Sequence, residues 1–208
     1  MHILVVADEP EKALWDYYRY QPQRLKSADL ILSCGDLKPQ YLEFMVTFAN
    51  CPLLYVHGNH DEIYDSRPPE GCICIEDKVY TYNGLRILGL GGSMRYKNGP
   101  HMYTEREMRR RLRSPRLQLQ LLRSRGFDIL LTHSPVRGFG DMDDIPHRGF
   151  ECFDSLLVRY KPDYMFHGHV HKTYGNFVRT REHPSGAMLV NACGSYEFDL
   201  GESGGQVR

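Results

Sequence analysis

Five short apolar runs in this chain end in the same way. Residues 3–7 lead into Asp8, residues 30–33 into Cys34-Gly35-Asp36, and residues 53–56 into His57-Gly58-Asn59-His60-Asp61. Residues 129–132 lead into His133, and residues 164–166 into His167-Gly168-His169-Val170-His171. Runs that are apolar throughout read as strands buried on both faces. In an open α/β sheet, ligands lie outside the carboxyl ends of the strands. The pattern therefore predicts an α/β fold in which five strands deliver polar side chains to one rim. Asp8 alone reads as a helix N-cap, and His133 alone as a hydrogen-bonded core histidine. Repetition at five strand ends points to a site.

The rest of the chain fits that architecture. Further strands are expected over 86–90 and 188–192, and helices over 11–25, 40–50, 104–125 and 150–160. Leu14, Tyr17 and Tyr18 set the first helical face, and Thr104 with Glu107 forms a capping box for the third helix. Residues 79–82 and 85–90 flank Asn83-Gly84, the signature of a two-residue hairpin turn. Parallel crossovers at the start and a hairpin in the middle predict a layered α/β domain with two sheets face to face. The 208 residues suit one domain over 1–200, with 201–208 as a loose tail.

Charge and cysteine usage exclude some classes. Lys plus Arg balances Asp plus Glu at 26 each, which argues against nucleic acid or a membrane surface as partner. Met1 runs directly into a strand with no signal-peptide pattern, and no apolar run is long enough for a span, so a soluble cytoplasmic protein is expected. The six cysteines show no C-x-x-C pair and read as buried thiols, with Cys72 and Cys74 on one strand face.

Carboxylates, an amide and imidazoles together form a donor set that first-row divalent ions accept. Gly35, Gly58 and Gly168 allow the tight turns that re-aim a strand end. The order Asp8, Gly35-Asp36, Gly58-Asn59-His60-Asp61, His133 and Gly168-His169-x-His171 resembles the calcineurin-like metallophosphoesterase superfamily. "THSPVRGFGD" and "KPDYMFHGHVHKTYG" resemble its small single-domain members, and "NACGSYEF" its closing strand.

The resemblance implies a four-layer αββα sandwich of two mixed sheets flanked by helices. It implies two divalent ions, manganese first, with iron, zinc or nickel as alternatives. Asp36 would bridge them; Asn59, His133 and His169 would complete the second position, and Asp8 and His171 would belong to the first. His60 would face the substrate with Asp61 orienting its ring, while a hydroxide bridging the metals attacks phosphorus. The expected activity is hydrolysis of a small, nucleotide-like phosphodiester or phosphomonoester. Alternatives are a nuclease, or a binding scaffold like the metallophosphoesterase-like subunit of retromer.

The chain departs from the family at one place. Its first motif is Asp8-Glu9-Pro10 where Asp-x-His is usual, and proline offers no donor to a metal. Glu9 could take the place, although consecutive strand side chains point oppositely. Water could complete the sphere instead, or the first ion could be absent altogether. The water reading predicts that the position of Asp36, Asn59, His133 and His169 fills first and that activity needs excess Mn²⁺.

Other residues carry less weight. Arg95 is a candidate for phosphate binding. Arginines in 106–116 read as a solvated helix face, with an electropositive rim as the alternative. His147 reads as an outer support or surface group, His57 and His167 as satisfied core histidines, and Tyr41 as packing on its helix.

Overall fold

A computed structural model of the protein describes residues 1–16, 19–174 and 177–201. Tyr17, Tyr18 and all but the first residue of the expected tail lie outside the described residues. The strands are β1 (His2–Ala7), β2 (Leu30–Ser33), β3 (Leu53–Tyr55), β4 (Ile73–Cys74), β5 (Lys78–Tyr82), β6 (Leu85–Leu90) and β7 (Ser93–Met94). They continue as β8 (Met102–Tyr103), β9 (Ile129–Thr132), β10 (Tyr164–His167), β11 (Thr180–Glu182), β12 (Met188–Asn191) and β13 (Gly194–Asp199). The helices are α1 (Lys12–Trp15), α2 (Pro22–Lys26), α3 (Pro39–Phe48), α4 (Glu105–Leu112), α5 (Pro115–Ser124) and α6 (Glu151–Tyr160).

One sheet runs β13-β1-β2-β3-β4 and the other β11-β12-β10-β9-β6-β5. Alternation along the strands builds three cores. Leu4, Val6, Ile31 and Leu53 face outward onto Leu14, Leu25, Leu42 and Met45 of the first three helices. Ile3, Val5, Leu32 and Leu54 meet Ile87, Ile129, Leu131 and Phe166 between the sheets. Leu88, Leu130, Met165 and Leu189 pack under Met108, Leu117, Phe153 and Leu157 of the last three helices. This is the expected four-layer sandwich.

Two expected helices are each two. Residues 11–25 divide at Pro22, the first residue of α2, and 104–125 divides at Pro115, the first residue of α5. At Pro115 the ring excludes the helical turn before it, whereas α1 already ends at Trp15, seven positions ahead of Pro22. The capping box is present, with Glu107 N–H donating to Thr104 Oγ1 and Thr104 N–H to Glu107 Oε2 at 2.8 Å. Asn83 (φ 48°) and Gly84 (φ 84°) make the hairpin turn between β5 and β6. Cys72 and Cys74 both pack against the core beneath α3.

β1, β2 and β3 are mutually parallel, as are β9 and β10, so the carboxyl ends within each sheet lie on one side. The two rims meet where His133, after β9, touches Asn59, after β3.

Candidate metal centre

At the strand ends the backbone leaves its ordinary conformations. Asp8 (φ 61°), Asp36 (φ 58°) and His169 (φ 70°) are all left-handed, a strained state for residues with a side chain. Close approach is also built in: a Cβ on Gly58 would collide with the Asp36 carboxylate, and one on Gly168 would lie 2.6 Å from Asp8 Oδ2.

Four predicted residues converge at an inner position. His133 is fully buried, and its Nε2 lies 3.0 Å from Asn59 Oδ1, 3.4 Å from Asp36 Oδ2 and 3.0 Å from His169 Nδ1. The other ring nitrogens fix the tautomers. His133 Nδ1 is 2.8 Å from the Cys34 carbonyl and His169 Nε2 is 2.7 Å from the Pro146 carbonyl. A carbonyl only accepts, so these two nitrogens carry the protons. In the neutral rings the facing nitrogens, an amide oxygen and a carboxylate then turn lone pairs toward one another with no hydrogen between them.

That donor set fits a divalent ion. Ligands about 2.1 Å from a metal at right angles sit about 3.0 Å apart. Carbonyl-anchored imidazoles are also the usual support of a metal-binding histidine. Without an ion, a proton must serve. Burial works against it, but Asp36 and Asp8 outweigh burial and lift His133 to about 9. Burial and the neighbouring His133 drive His169 down to about 3. Asp36, despite its own burial, is held low by His133 and by the His60 N–H.

The remaining predicted residues lie around this point. Asp8 accepts the His169 N–H through both oxygens, at 2.9 and 3.0 Å, and burial raises its pKa. His60 is exposed at the rim; its backbone N–H donates to Asp36 Oδ1 at 2.8 Å. Asp61 Oδ2 accepts from Gly58 N–H at 2.7 Å and Asp36 N–H at 2.8 Å. What Asp61 orients here is the loop backbone, where its expected partner was the His60 ring. Burial and Asp36 lift its pKa to about 6.

His171 Nδ1 lies 3.2 Å from Glu9 Oε1. Of the alternatives left open at Pro10, the approach of Glu9 toward His171 is the one this contact favours. Strand alternation ends at Ala7, and the left-handed Asp8 swings the next side chain back toward His171. Cys193, after β12, joins the pair: donor atoms of Glu9, His171 and Cys193 all lie within 4.8 Å of one another. The sequence reading missed Cys193; its signal was a strand-end position like the other five.

His147 approaches closely, its ring 5.3 Å from that of His169 and 4.8 Å from that of Tyr174. Arg95 is engaged elsewhere, with Glu107 Oε2 at 3.0 Å and the Met102 carbonyl at 3.1 Å. The solvated-face reading of residues 106–116 fails at Arg111, which is mostly buried and paired with Glu76 and Asp77.

Comparisons with known proteins agree with this fold. The calcineurin-like phosphoesterase family model matches residues 1–173. The UPF0046 protein T07D4.2 of Caenorhabditis elegans is 40% identical over 52 residues, which are 24% of this chain and 13% of that protein. The fold resembles the crystal structure of TT1561 of Thermus thermophilus, with a TM-score of 0.58, 14% identity and coverage of 92% and 88% of the two chains. GAP50 of Plasmodium, described as the anchor in the inner membrane complex, matches at a TM-score of 0.54 and 12% identity, covering 93% and 71%. Strained strand ends, the inner cluster of lone pairs and the family match together place this chain in the calcineurin-like phosphoesterase family.

Proposed function

We propose that this protein is a metal-dependent phosphoesterase acting on a small phosphodiester or phosphomonoester, with two divalent ions at the rim. The observation that carries the reading is the inner cluster, where His133, His169, Asn59 and Asp36 turn metal-donor atoms toward one point and only the added proton of His133 stands in an ion's place. Bound ions supply Lewis-acid polarisation of a phosphoryl oxygen and a water of lowered pKa. The inner ion would be held by Asp36, Asn59, His133 and His169, and the outer by Asp8 and His171.

The protein's own groups do the rest. His60 is free of the inner cluster and exposed, so its ring is available to donate a proton to the leaving oxygen. Asp61 keeps Asp36 and Gly58 in register by holding both N–H groups, and so fixes where His60 emerges. His147 and Tyr174 wall the opposite side. Tyr174 also lines a cleft of about 840 Å³ with Asp141, Asp143, Asp144, Phe177 and Arg181.

Assays with bis-p-nitrophenyl phosphate and p-nitrophenyl phosphate, with Mn²⁺ and other divalent ions, test the reading. Turnover is expected with at least one ion. His60→Ala is expected to keep its metal content and lose about 10²- to 10⁴-fold in rate. A folded protein with no turnover under any metal would favour a scaffold, and strong salt-dependent cleavage of short DNA or RNA would favour a nuclease.

A further inference from the structure

The outer ion position lacks the imidazole that Pro10 displaces, and the structure brings two other donors to it. The geometry points to Cys193 as a thiolate ligand of that ion, with Glu9, His171 and Asp8, making the outer position a mixed oxygen, nitrogen and sulfur site. The inference rests on the reading above that this rim binds ions, and it goes further by assigning ligands and a metal class.

Three observations carry it. Glu9 Oε1, a ring nitrogen of His171 and Cys193 Sγ all lie within 4.8 Å of one another, the spread of ligands that need only small rotations to share one ion. Cys193 is fully buried and its backbone is pinned. Its N–H donates to Asn191 Oδ1 at 2.9 Å, its carbonyl accepts from Arg179 Nη1 at 3.0 Å, and it bridges to Ala7 beside Asp8. The sulfur is thus held at the carboxyl end of β12 as the other ligands are held at theirs. Glu9 and His171 are partly exposed, with 44% and 33% of their side chains open to solvent, so an ion and its water can enter from that side.

The chemistry differs from that of the inner position. Asp36, Asn59 and two imidazoles are oxygen and nitrogen donors that suit manganese or iron. A thiolate shifts preference toward zinc, cobalt or iron(II). Coordination would displace the thiol proton to solvent, so the sulfur enters as an anion. Two adjoining positions of unequal softness are expected to fill with different ions when both metals are offered. The outer position would then not be the water-completed, labile one that the missing imidazole suggests.

Cobalt titration of the full-length metal-free protein tests this without reference to turnover. A sulfur-to-cobalt charge-transfer band in the near ultraviolet is expected in the unaltered protein and should vanish in Cys193→Ser, while Cys152→Ser retains it. Cobalt binding without that band, or a band that survives Cys193→Ser, would overturn the assignment. If Cys193→Ser does not fold, Glu9→Gln serves: the band should then need at least tenfold more cobalt, and an unchanged midpoint would place the sulfur elsewhere. Hydrolysis with Mn²⁺ but no sulfur band removes only the thiolate. A sulfur band in a protein that hydrolyses nothing removes only the phosphoesterase.

Discussion

Two buried polar clusters sit on either side of residues 57–61, and they are built on opposite principles. Behind the loop, Glu76 accepts from the backbone N–H of His57 at 3.1 Å, from His57 Nδ1 at 3.1 Å and from Gly91 N–H at 2.7 Å, and pairs with Arg111. Arg111 in turn donates to Asp77 and to the Gly91 carbonyl at 2.8 Å, and lies over the Tyr103 ring. Every strong acceptor there has a donor. In front of the loop, His133, His169, Asn59 and Asp36 face one another with only the added proton of His133 among them. A buried group without its partner costs free energy. Glu76 is satisfied within the chain; the second cluster, on the function proposed above, awaits a cation. Burial alone does not mark a functional site, but a deficit of donors does.

One chemical change, carboxylate to amide, should separate the two clusters most sharply. Asp36→Asn removes the charge that an inner ion needs, and a loss on the order of 10³-fold in turnover is expected, with inner-ion content lost. The same change adds an N–H₂ donor where donors are short, while the amide oxygen can still accept from His60 N–H. The added donor offsets the lost pairing with protonated His133, so the melting temperature in chelator should change little. Added metal should stabilise the unaltered protein by about 2.7 kcal/mol at a hundred times its dissociation constant and stabilise the variant by less. A variant that unfolds in chelator would show that Asp36 belongs to a self-sufficient cluster after all.

Glu76→Gln should do the reverse. It turns a donor toward donors and leaves Arg111 with Asp77 as its remaining carboxylate, so a loss of roughly 3 kcal/mol, the low end for a broken buried pair, is expected. Urea unfolding reads the loss. It should be the same with and without metal, because Glu76 draws its donors from the chain alone.

The pH dependence gives the same contrast. Burial opposes ionisation of Glu76, but His57 and Arg111 outweigh it and hold the carboxyl at about 2, against an ordinary 4.5. A lowered pKa means that the unfolded chain binds the proton more readily. Glu76 therefore stabilises the fold fully above pH 4.5, and the contribution is lost as pH falls toward 2. The shift corresponds to about 3 kcal/mol. Acid unfolding of the unaltered protein should show this extra slope between those values, and Glu76→Gln should lack it.

Much of this was legible before the fold. The strand-end pattern located Asp8, Asp36, Asn59, His133, His169 and His171, because period-two burial and parallel crossovers force those positions to one rim. What escaped depended on backbone state. Glu9 stayed an open alternative because strand alternation opposes it, and nothing in the letters announces a left-handed Asp8. Cys193 escaped because a lone cysteine after a strand reads as packing. Arg111 escaped because helical periodicity gives a face but not what that face meets; its partners Glu76 and Asp77 are more than thirty positions away in the chain. Pro22 and Pro115 did announce breaks, and the long periodic runs hid them.

The smallest effect tests the residue that the fold moved away from the site. Arg95 follows a strand as the metal-centre residues do, and its guanidinium could have met a phosphate. Instead it spans the Met102 carbonyl and Glu107, whose carboxylate already closes the α4 capping box. A substrate anion would have to displace Glu107 from both. The pair is more than a third exposed, so water screens it and its worth is about 0–1 kcal/mol. Arg95→Gln should therefore lower stability by less than about 1 kcal/mol and leave kcat and KM for a small phosphodiester unchanged. A several-fold rise in KM with kcat preserved would mean that Arg95 leaves Glu107 for the substrate. The line between a self-satisfied surface pair and a group awaiting its ligand would then have to be redrawn.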